Sequence, residues 1–350
     1  MEIEIMEALK RSDLLFIDVR TPTEYAEASI PGAINIPLFN DQEHHQLGII
    51  YHQLGETEAR RAALDMVAPK LPALVDKIVR TCNGEKPLLY CSRGGMRSQS
   101  LYQILMLAGI QPLRLKKGYK AYRNYVIERL ADYKLKCKLY VVHGLTGVGK
   151  TALLQNIDQK GLPVIDLEEL ANHRGSVFGA VGLNTSRSQK NFDALLLQQL
   201  DRYKELPYLY IEGEGRRIGN IYLPPFLAEA MEKGYQILLT ASMETRVKRI
   251  VSTYIPAAMS EELLEQLKHA LSSLRKRLGD KKVDRLIIML EHGDYYNVSR
   301  LLCADYYDQF YSDSRPECAR FDSVIDAESI ENAAEQIMKL TGTYDVRKEY

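Results

Sequence analysis

The stretch KLYVVHGLTGVGKTALLQNI, residues 138–157, determines the fold of the second half of the chain. An apolar run is followed by the pattern G-x-x-x-x-G-K-[ST] at residues 144–151, and helical sequence follows the pattern. Because this pattern binds phosphate between a strand and a helix, we predict a P-loop here. The predicted phosphate-binding residues are Gly144, Thr146, Gly147, Val148, Gly149, Lys150 and Thr151.

Each part of such a loop has a physical task. Backbone amides from Gly147 to Thr151 surround phosphate oxygens, Lys150 neutralises terminal phosphate charge, and the Thr151 hydroxyl is a candidate ligand for Mg²⁺. The loop recognises phosphate and not a nucleobase. Since no N-K-x-D segment follows to recognise guanine, a GTPase has little support.

Apolar segments downstream indicate a parallel sheet around this loop: PVIDL (163–167), YLYIEG (208–213) and YQILLT (235–240). From about residue 244 to the end, the segments SEELLEQLKHALSSLRKRLG and ENAAEQIMKLTG have helical periodicity. We therefore predict a P-loop NTPase-like α/β domain with a helical annex over residues 134–350.

Two carboxylates and two arginines lie near the ends of these strands. Glu212 and Asp166 are candidates for orienting a metal ion, and a solvated or helix-capping role is the alternative for each. Arg246 and Arg249 are three residues apart on one helix face, where they would clamp a leaving pyrophosphate or simply face solvent.

A further candidate substrate loop is HRGSVFG, residues 173–179. His173 and Arg174 precede glycine-punctuated sequence of low helical character, which is typical of a functional loop.

The first third of the chain has the pattern of a second α/β domain. Short apolar strands, LLFIDV (14–19), AINIPL (33–38) and PLLYC (87–91), are separated by helical sequence, which predicts a parallel sheet. The last of them leads into the segment SRGGMRSQSLYQILMLAG, a glycine-containing loop and a helix. We predict a separate domain over residues 1–133.

Cys91 is the candidate nucleophile of this domain. At the end of a parallel strand, loop amides and a helix dipole converge on the thiol, and Arg93 and Arg97 add positive charge. We expect a lowered thiol pKa and a nucleophilic thiolate. The remaining cysteines fit small buried core residues: Cys82, Cys137, Cys303 and Cys318.

Three segments of this half resemble the rhodanese family: IDVRTPTEY (17–25), IPGAINIPL (30–38) and YCSRGGMRS (90–98). The resemblance implies that Cys91 accepts a chalcogen atom and that Asp18 and Arg20 are structural supports. Five residues separate Cys91 from Arg97, whereas the usual sulfur-carrying loop has four. This C-x5-R length also occurs in cysteine-dependent phosphatases, so phosphatase chemistry remains a rival interpretation.

Composition limits the class of protein. With 350 residues, 46% hydrophobic and 26% charged, the chain is long enough for two globular domains. It has neither a run of roughly 18 apolar residues nor a basic leader before an apolar segment, so we expect a cytoplasmic protein without membrane association. Its five cysteines lack CxxC spacing, which argues against a disulfide framework or a zinc site.

A rhodanese-type domain followed by a P-loop domain in one chain resembles the bacterial tRNA 2-selenouridine synthases over essentially the whole sequence. The segments GIIYHQLGETEARRAALDM (48–66) and IEGEGRRIGNIYLPP (211–225) also resemble segments of that family. The resemblance implies that geranyl diphosphate alkylates the sulfur of wobble 2-thiouridine and that selenium from selenophosphate then replaces the S-geranyl group.

This resemblance also implies co-substrates and partners. No tightly bound cofactor is expected beyond Mg²⁺, and the implied partners are tRNA and the enzyme that produces selenophosphate. Lys150 and Thr151 would stabilise the departing diphosphate, while Cys91 would carry the incoming selenium as a perselenide.

The segment 114–138 is the candidate tRNA contact. It contains nine Lys or Arg and two acidic residues, with tyrosines at 119, 122, 125 and 133 as candidate stacking rings. An ordinary basic amphipathic helix is the alternative. The candidate tRNA-binding residues are Lys116, Lys117, Lys120 and Arg123.

Two other functions fit the same motifs. One is a small-molecule kinase with a fused rhodanese or phosphatase-like domain, which predicts ATP turnover without tRNA. The other is a sulfur-relay or scaffold module, which predicts that function survives the loss of Lys150.

Overall fold

The computed structural model describes residues 1–182, 186–256, 258–309 and 321–342, which form two compact units. Unit 1 comprises Met1–Asp132 together with Ser188–Leu197, and unit 2 comprises Tyr133–Arg187 and Gln198–Tyr350. Within the described residues no helix has the length and apolar character needed to cross a membrane.

Unit 1 is built on a sheet of five parallel strands in the order β1-β5-β4-β2-β3. The strands are β1 (Glu2–Ile3), β2 (Leu14–Asp18), β3 (Ile34–Asn35), β4 (Lys86–Tyr90) and β5 (Leu113–Leu115). The central strands are buried because helices cover both faces, as in other parallel sheets. The predicted rhodanese-like parallel sheet is therefore confirmed.

Seven α-helices connect these strands: α1 (Ile5–Ala8), α2 (Pro22–Glu27), α3 (Asp41–Leu54), α4 (Glu56–Val67), α5 (Leu71–Cys82), α6 (Met96–Leu107) and α7 (Gly118–Ala131). Capping boxes define where two of them begin. In α2 the Thr21 hydroxyl accepts a hydrogen bond from the amide of Glu24, and the Glu24 carboxylate accepts one from the amide of Thr21.

A buried ion pair closes the end of β2. Arg20 donates to both carboxylate oxygens of Asp18 and, at 2.6 Å, to the carbonyl oxygen of Ala28. The guanidinium carbon lies 4.3 Å from the centre of the Tyr119 ring. These contacts connect β2, the loop after α2 and α7, which supports the structural role expected for Asp18 and Arg20.

The start of α7 touches the loop that carries Cys91. Gly118 has φ +57°, and a Cβ atom there would lie 2.1 Å from the carbonyl oxygen of Cys91. Only glycine permits this approach, because any side chain would collide with backbone.

Unit 2 is built on a second parallel sheet, ordered β12-β11-β6-β8-β7. Its strands are β6 (Lys138–Gly144), β7 (Val164–Ile165), β8 (Tyr208–Glu212), β11 (Tyr235–Thr240) and β12 (Ser323–Asp326). A small hairpin, β9 (Arg217–Ile218) and β10 (Ile221–Tyr222), lies apart from the sheet. The P-loop strand β6 is central, and the predicted α/β fold is confirmed.

The other α-helices found in the described residues are α8 (Lys150–Gln159), α9 (Leu167–Ala171), α10 (Gln189–Tyr203), α11 (Pro225–Glu232), α12 (Met243–Tyr254), α13 (Glu261–Ser273), α14 (Arg275–Leu278), α15 (Asp280–Glu291), α16 (Tyr295–Leu302) and α17 (Ile330–Leu340). A π-helix, Cys303–Tyr307, continues α16.

The predicted helical annex does not extend to the end of the chain. Helices α13 to α16 pack around a core of their own, which includes Leu271 and Leu286. By contrast, β12 pairs with β11, and α17 contributes Ala333 and Ile337 to the core of the main sheet. The predicted helix in ENAAEQIMKLTG is present as α17, but the prediction missed β12, because this strand is short and its pairing partner lies far away in sequence.

Gly118→Ala is expected to lower the free energy of unfolding by about 3 kcal/mol, since it adds a steric collision to backbone strain. The measurement is urea-induced unfolding followed by circular dichroism. Gly109→Ala is the matched control, because Gly109 has φ +79° and open space around its Cβ position. It should cost about 1 kcal/mol, and an equal loss in both variants would contradict the proposed collision.

Candidate functional sites

The cysteine of unit 1 is enclosed by its own loop. Cys91 is 3% exposed, and its Sγ lies 3.3 Å from the Ser98 hydroxyl and 3.8 Å from the carbonyl oxygen of Gly95. Gly95 is the N-cap of α6. The thiol therefore lies beside the N-terminal end of α6.

Helix α7 holds the carbonyl groups of this loop. The amides of Tyr119 and Lys120 donate to the carbonyl oxygens of Cys91 and Ser92, at 2.8 and 3.0 Å. Every described peptide bond is trans, so the N–H in each peptide plane points away from its C=O. The amides of Ser92 and Arg93 consequently face away from α7 and are available to an anion held by the loop.

The two arginines of the loop have different surroundings. Arg97 forms an ion pair with Glu24, and its Nη2 also donates to the Ser92 hydroxyl at 3.1 Å. Burial alone would raise the pKa of Glu24. Hydrogen bonds from Arg97 and Ser92 outweigh this effect of burial, and the pKa is lowered to about 2. Arg97 is thus held in place by a carboxylate and a hydroxyl of its own unit. Arg93 is exposed.

The other described cysteines lie in different surroundings. Burial raises the pKa of Cys82 and of Cys303 to about 11, and it raises that of Cys137 as well. Thiols with raised pKa values are poor nucleophiles at neutral pH. Cys318 lies outside the described residues.

The P-loop lies between β6 and α8. Gly147 has φ +80°, and a Cβ atom there would lie 2.7 Å from the carbonyl oxygen of Arg246, so the loop packs closely on α12. The Nζ of Lys150 lies 3.5 Å from the carbonyl oxygen of Gly144 and 3.9 Å from Oε1 of Glu212. The predicted phosphate-binding residues thus surround the N-terminus of α8.

The two arginines of α12 donate hydrogen bonds to backbone carbonyl oxygens of this loop. Arg246 is 3% exposed, donates to the carbonyl oxygen of Thr146 at 2.9 Å and pairs with Asp308 at 2.6 Å. Arg249 donates to the carbonyl oxygens of Val148, at 2.6 Å, and of Ala327, at 2.7 Å.

The predicted clamp on a leaving pyrophosphate therefore needs correction. Both guanidinium groups bind backbone carbonyl oxygens, and only Arg249 also lines the phosphate cavity. The C=O and N–H groups of a trans peptide point in opposite directions. The amides of Gly147 and Gly149 therefore point away from the two arginines, to the side where a phosphate would bind.

Carboxylates gather beside Lys150. Glu212 ends β8 and is fully buried, and its Oε1 lacks a hydrogen-bond partner. Asp166 caps α9 through Oδ1, while its buried Oδ2 lacks a partner. Ligand oxygens of Glu168, Glu212 and Glu214 lie within 4.8 Å of one another. Buried carboxylate oxygens without partners suit a hard divalent cation such as Mg²⁺.

Glu168 and Glu214 are residues that sequence reasoning missed. Burial, followed by the charge of Glu214, raises the pKa of Glu168 to about 8, and burial also raises that of Glu214. The positions of these two residues along the sequence could have identified them. Each follows, by two or three residues, the end of one of the paired parallel strands β7 and β8, whose carboxyl ends meet at one edge.

The loop of His173 and Arg174 borders the same cavity. His173 accepts the amide of Gly175 through Nδ1, at 3.1 Å, and burial lowers its pKa. The guanidinium carbon of Arg174 lies 4.9 Å from the centre of the Tyr254 ring. Both side chains are thus placed beside the P-loop, where a substrate contact was predicted.

The cavity over the P-loop has a volume of about 1250 Å³. Its lining includes the ionisable side chains of Asp166, Glu168, His173, Arg174 and Arg249. This size exceeds that of a diphosphate group and leaves room for a larger substrate.

The candidate tRNA segment is less exposed than predicted. Tyr119 and Tyr122 are 8% and 5% exposed, so their rings pack in unit 1 and are not stacking platforms. This expectation was wrong because β5 and α7 are part of the sheet domain. Lys116 pairs with Glu4 and Arg123 with Asp193, whereas Lys117 and Lys120 are exposed.

The fold and sites define a two-unit protein in which a rhodanese-type thiol loop accompanies a P-loop with a carboxylate cluster. The profile of the rhodanese-like domain matches residues 3–125, and that of the tRNA 2-selenouridine synthase AAA domain matches residues 137–339. The chain belongs to the tRNA 2-selenouridine synthase family.

Curated relatives named tRNA 2-selenouridine synthase match over most of their length. The Hydrogenovibrio crunogenus protein is 33% identical, with 87% of this chain and 90% of the relative covered. The Cupriavidus necator protein is 31% identical, with 87% and 89% covered. The Pseudomonas syringae pv. tomato protein is 32% identical, with 88% and 90% covered.

Arg249→Ala is expected to weaken the binding of inorganic pyrophosphate about tenfold, because the carbonyl of Val148 is no longer held outward. Isothermal titration calorimetry measures this affinity. Lys248→Ala is the control, since Lys248 is an exposed cation of the same helix that pairs with Glu244. Equal affinities of the Arg249 variant and the control would contradict the orienting role.

Proposed function

We propose that this protein is a tRNA-modifying transferase that converts wobble 2-thiouridine to 2-selenouridine through an S-geranylated intermediate. Its co-substrates in this proposal are geranyl diphosphate and selenophosphate, and its partners are tRNA and the enzyme that produces selenophosphate, in the cytoplasm. The observation that carries the proposal is a family match over nearly the whole chain that includes both the thiol loop and the P-loop.

The P-loop unit suits the alkylation step. The thiocarbonyl sulfur of 2-thiouridine attacks C1 of geranyl diphosphate, a carbon–sulfur bond forms, the carbon–oxygen bond breaks, and the N3 proton passes to solvent. Negative charge then develops on the departing diphosphate. Lys150 and the amides of Gly147 and Gly149 are placed to stabilise that charge.

A divalent cation fits beside them. Thr151 of the P-loop and Glu212, with its unpartnered buried oxygen, would hold Mg²⁺, which would supply positive charge against the diphosphate. Burial raises the pKa values of the neighbouring carboxyls of Glu168 and Glu214, and the charges of Glu214 and of Asp166, respectively, raise them further.

The thiol loop suits the selenium step. C2 of the S-geranylated base loses geranyl thiol and gains selenium from selenophosphate, and water takes up the phosphate, so no oxidant or reductant is consumed. Cys91 attacks the phosphorus of selenophosphate, so that a sulfur–phosphorus bond forms, the phosphorus–selenium bond breaks and selenide is released to C2; water then cleaves the sulfur–phosphorus bond. The amides of Ser92 and Arg93 suit the phosphate oxygens. An S-alkyl thiol is also a better leaving group than the thiocarbonyl sulfur.

The decisive measurement is mass spectrometry of 2-thiouridine tRNA incubated with geranyl diphosphate, with and without selenophosphate. Cys91→Ser is expected to stop at S-geranylated RNA, because the alkylating site is intact. Lys150→Ala is expected to leave 2-thiouridine unchanged, with a rate loss of about 10²-fold or more.

Two variants serve as controls. Cys82→Ser replaces a buried thiol whose pKa is raised to about 11, and Lys160→Ala removes a cation at the other end of α8. Both should form 2-selenouridine. Full selenation by Cys91→Ser would refute the role of the thiol, and ATP turnover without tRNA would favour the kinase alternative.

We further propose that Lys117 and Lys120 contact the tRNA backbone, because both are exposed at the start of α7. The double variant Lys117→Ala, Lys120→Ala should weaken tRNA binding and reduce the slope of log affinity against log salt by about 2. Filter binding at several salt concentrations measures this. Lys116→Ala should change the slope less, since Lys116 already pairs with Glu4. An unchanged slope in the double variant would exclude this surface.

A further inference from the structure

A narrow apolar slot lies within the helical part of unit 2. Its walls include Leu267 and Leu271 of α13, Leu290 of α15, and Val298 and Leu302 of α16. Each of these side chains is at most 6% exposed. The slot has a volume of about 50 Å³, far smaller than the polar cavity.

The slot adjoins the polar cavity over the P-loop. Thr146 of the P-loop, Ile250 and Tyr254 of α12, and Tyr307 of the π-helix line both spaces. The two spaces are therefore neighbours, separated by no more than these shared side chains.

The π-helix shapes this junction. The rings of Tyr306 and Tyr307 lie 5.0 Å apart; Tyr306 lines the polar cavity, and Tyr307 lines both spaces. The hydroxyls of Tyr254 and Tyr307 interact with Ser176, which borders the polar cavity and not the slot. Their apolar ring faces thus contribute to the slot, and such wide helical turns are common at functional sites.

We propose that this slot binds the hydrocarbon end of the prenyl diphosphate and sets its chain length. The inference rests on the proposed function and adds the residues that select the substrate. A nucleobase is a poor occupant, because its amino and carbonyl groups would lose water and meet mostly apolar walls. A hydrocarbon chain gains free energy by leaving water for such walls.

Leu290 offers the sharpest test. Leu290→Ala enlarges the slot, so the ratio of kcat/KM for farnesyl diphosphate to that for geranyl diphosphate should rise about tenfold. The assay is prenyl transfer to 2-thiouridine RNA. Leu286→Ala is the matched control, because Leu286 lies one turn earlier in α15, is 1% exposed and packs in the same core without lining the slot. It should lose similar thermal stability and keep the parent ratio.

A second variant covers the case in which Leu290→Ala does not fold. Ser299 is half-buried and lines the slot, so Ser299→Leu should narrow it and shift preference about tenfold towards dimethylallyl diphosphate. If Leu290→Ala folds and keeps the parent ratio, the proposed role of the slot is wrong. An unchanged substrate preference in Ser299→Leu would contradict it as well. If the parent enzyme transfers no prenyl group from any of the three diphosphates, the proposed function itself fails.

Discussion

In both candidate sites, donors outside the loop form hydrogen bonds with the peptide carbonyl oxygens of the loop. In the thiol loop the donors are the first amides of α7, and in the P-loop they are the guanidinium groups of Arg246 and Arg249. Because a trans peptide that commits its C=O to one side presents its N–H on the other, each loop offers preorganised donors to an anion. Two loops without common sequence thus stabilise negative charge by the same backbone device.

This device matters because a basic side chain of each loop also contacts a carboxylate. Arg97 is neutralised by Glu24, and Lys150 lies among the carboxylates of Glu212 and Glu168. The amide dipoles must therefore provide much of the attraction for phosphate. In the P-loop unit the buried carboxylates favour a cation as well, so the binding of an anionic substrate and of a divalent cation should be mutually reinforcing.

Sequence reasoning found the parts of the sites that depend on local pattern. The P-loop and the loop of Cys91 are contiguous segments whose strand-loop-helix context can be read directly, and both sheets followed from short apolar runs. It failed where contacts join distant residues. Arg246 is bound to Asp308, Tyr119 is buried under Arg20, and β12 joins the sheet beside β11; none of these pairings has a local signal.

The helical cluster between β11 and β12 explains how a P-loop that recognises only phosphate becomes selective. Helix α12 carries the arginines that hold the loop carbonyls, and Ile250 and Tyr254 of the same helix line the apolar slot. A hydrocarbon in the proposed slot would therefore pack against the same helix that binds the carbonyl oxygens of Thr146 and Val148. In this proposal α12 contacts the apolar end of the substrate and also holds the loop that stabilises its charged end. Binding energy from the remote hydrocarbon would then support the chemistry at the diphosphate.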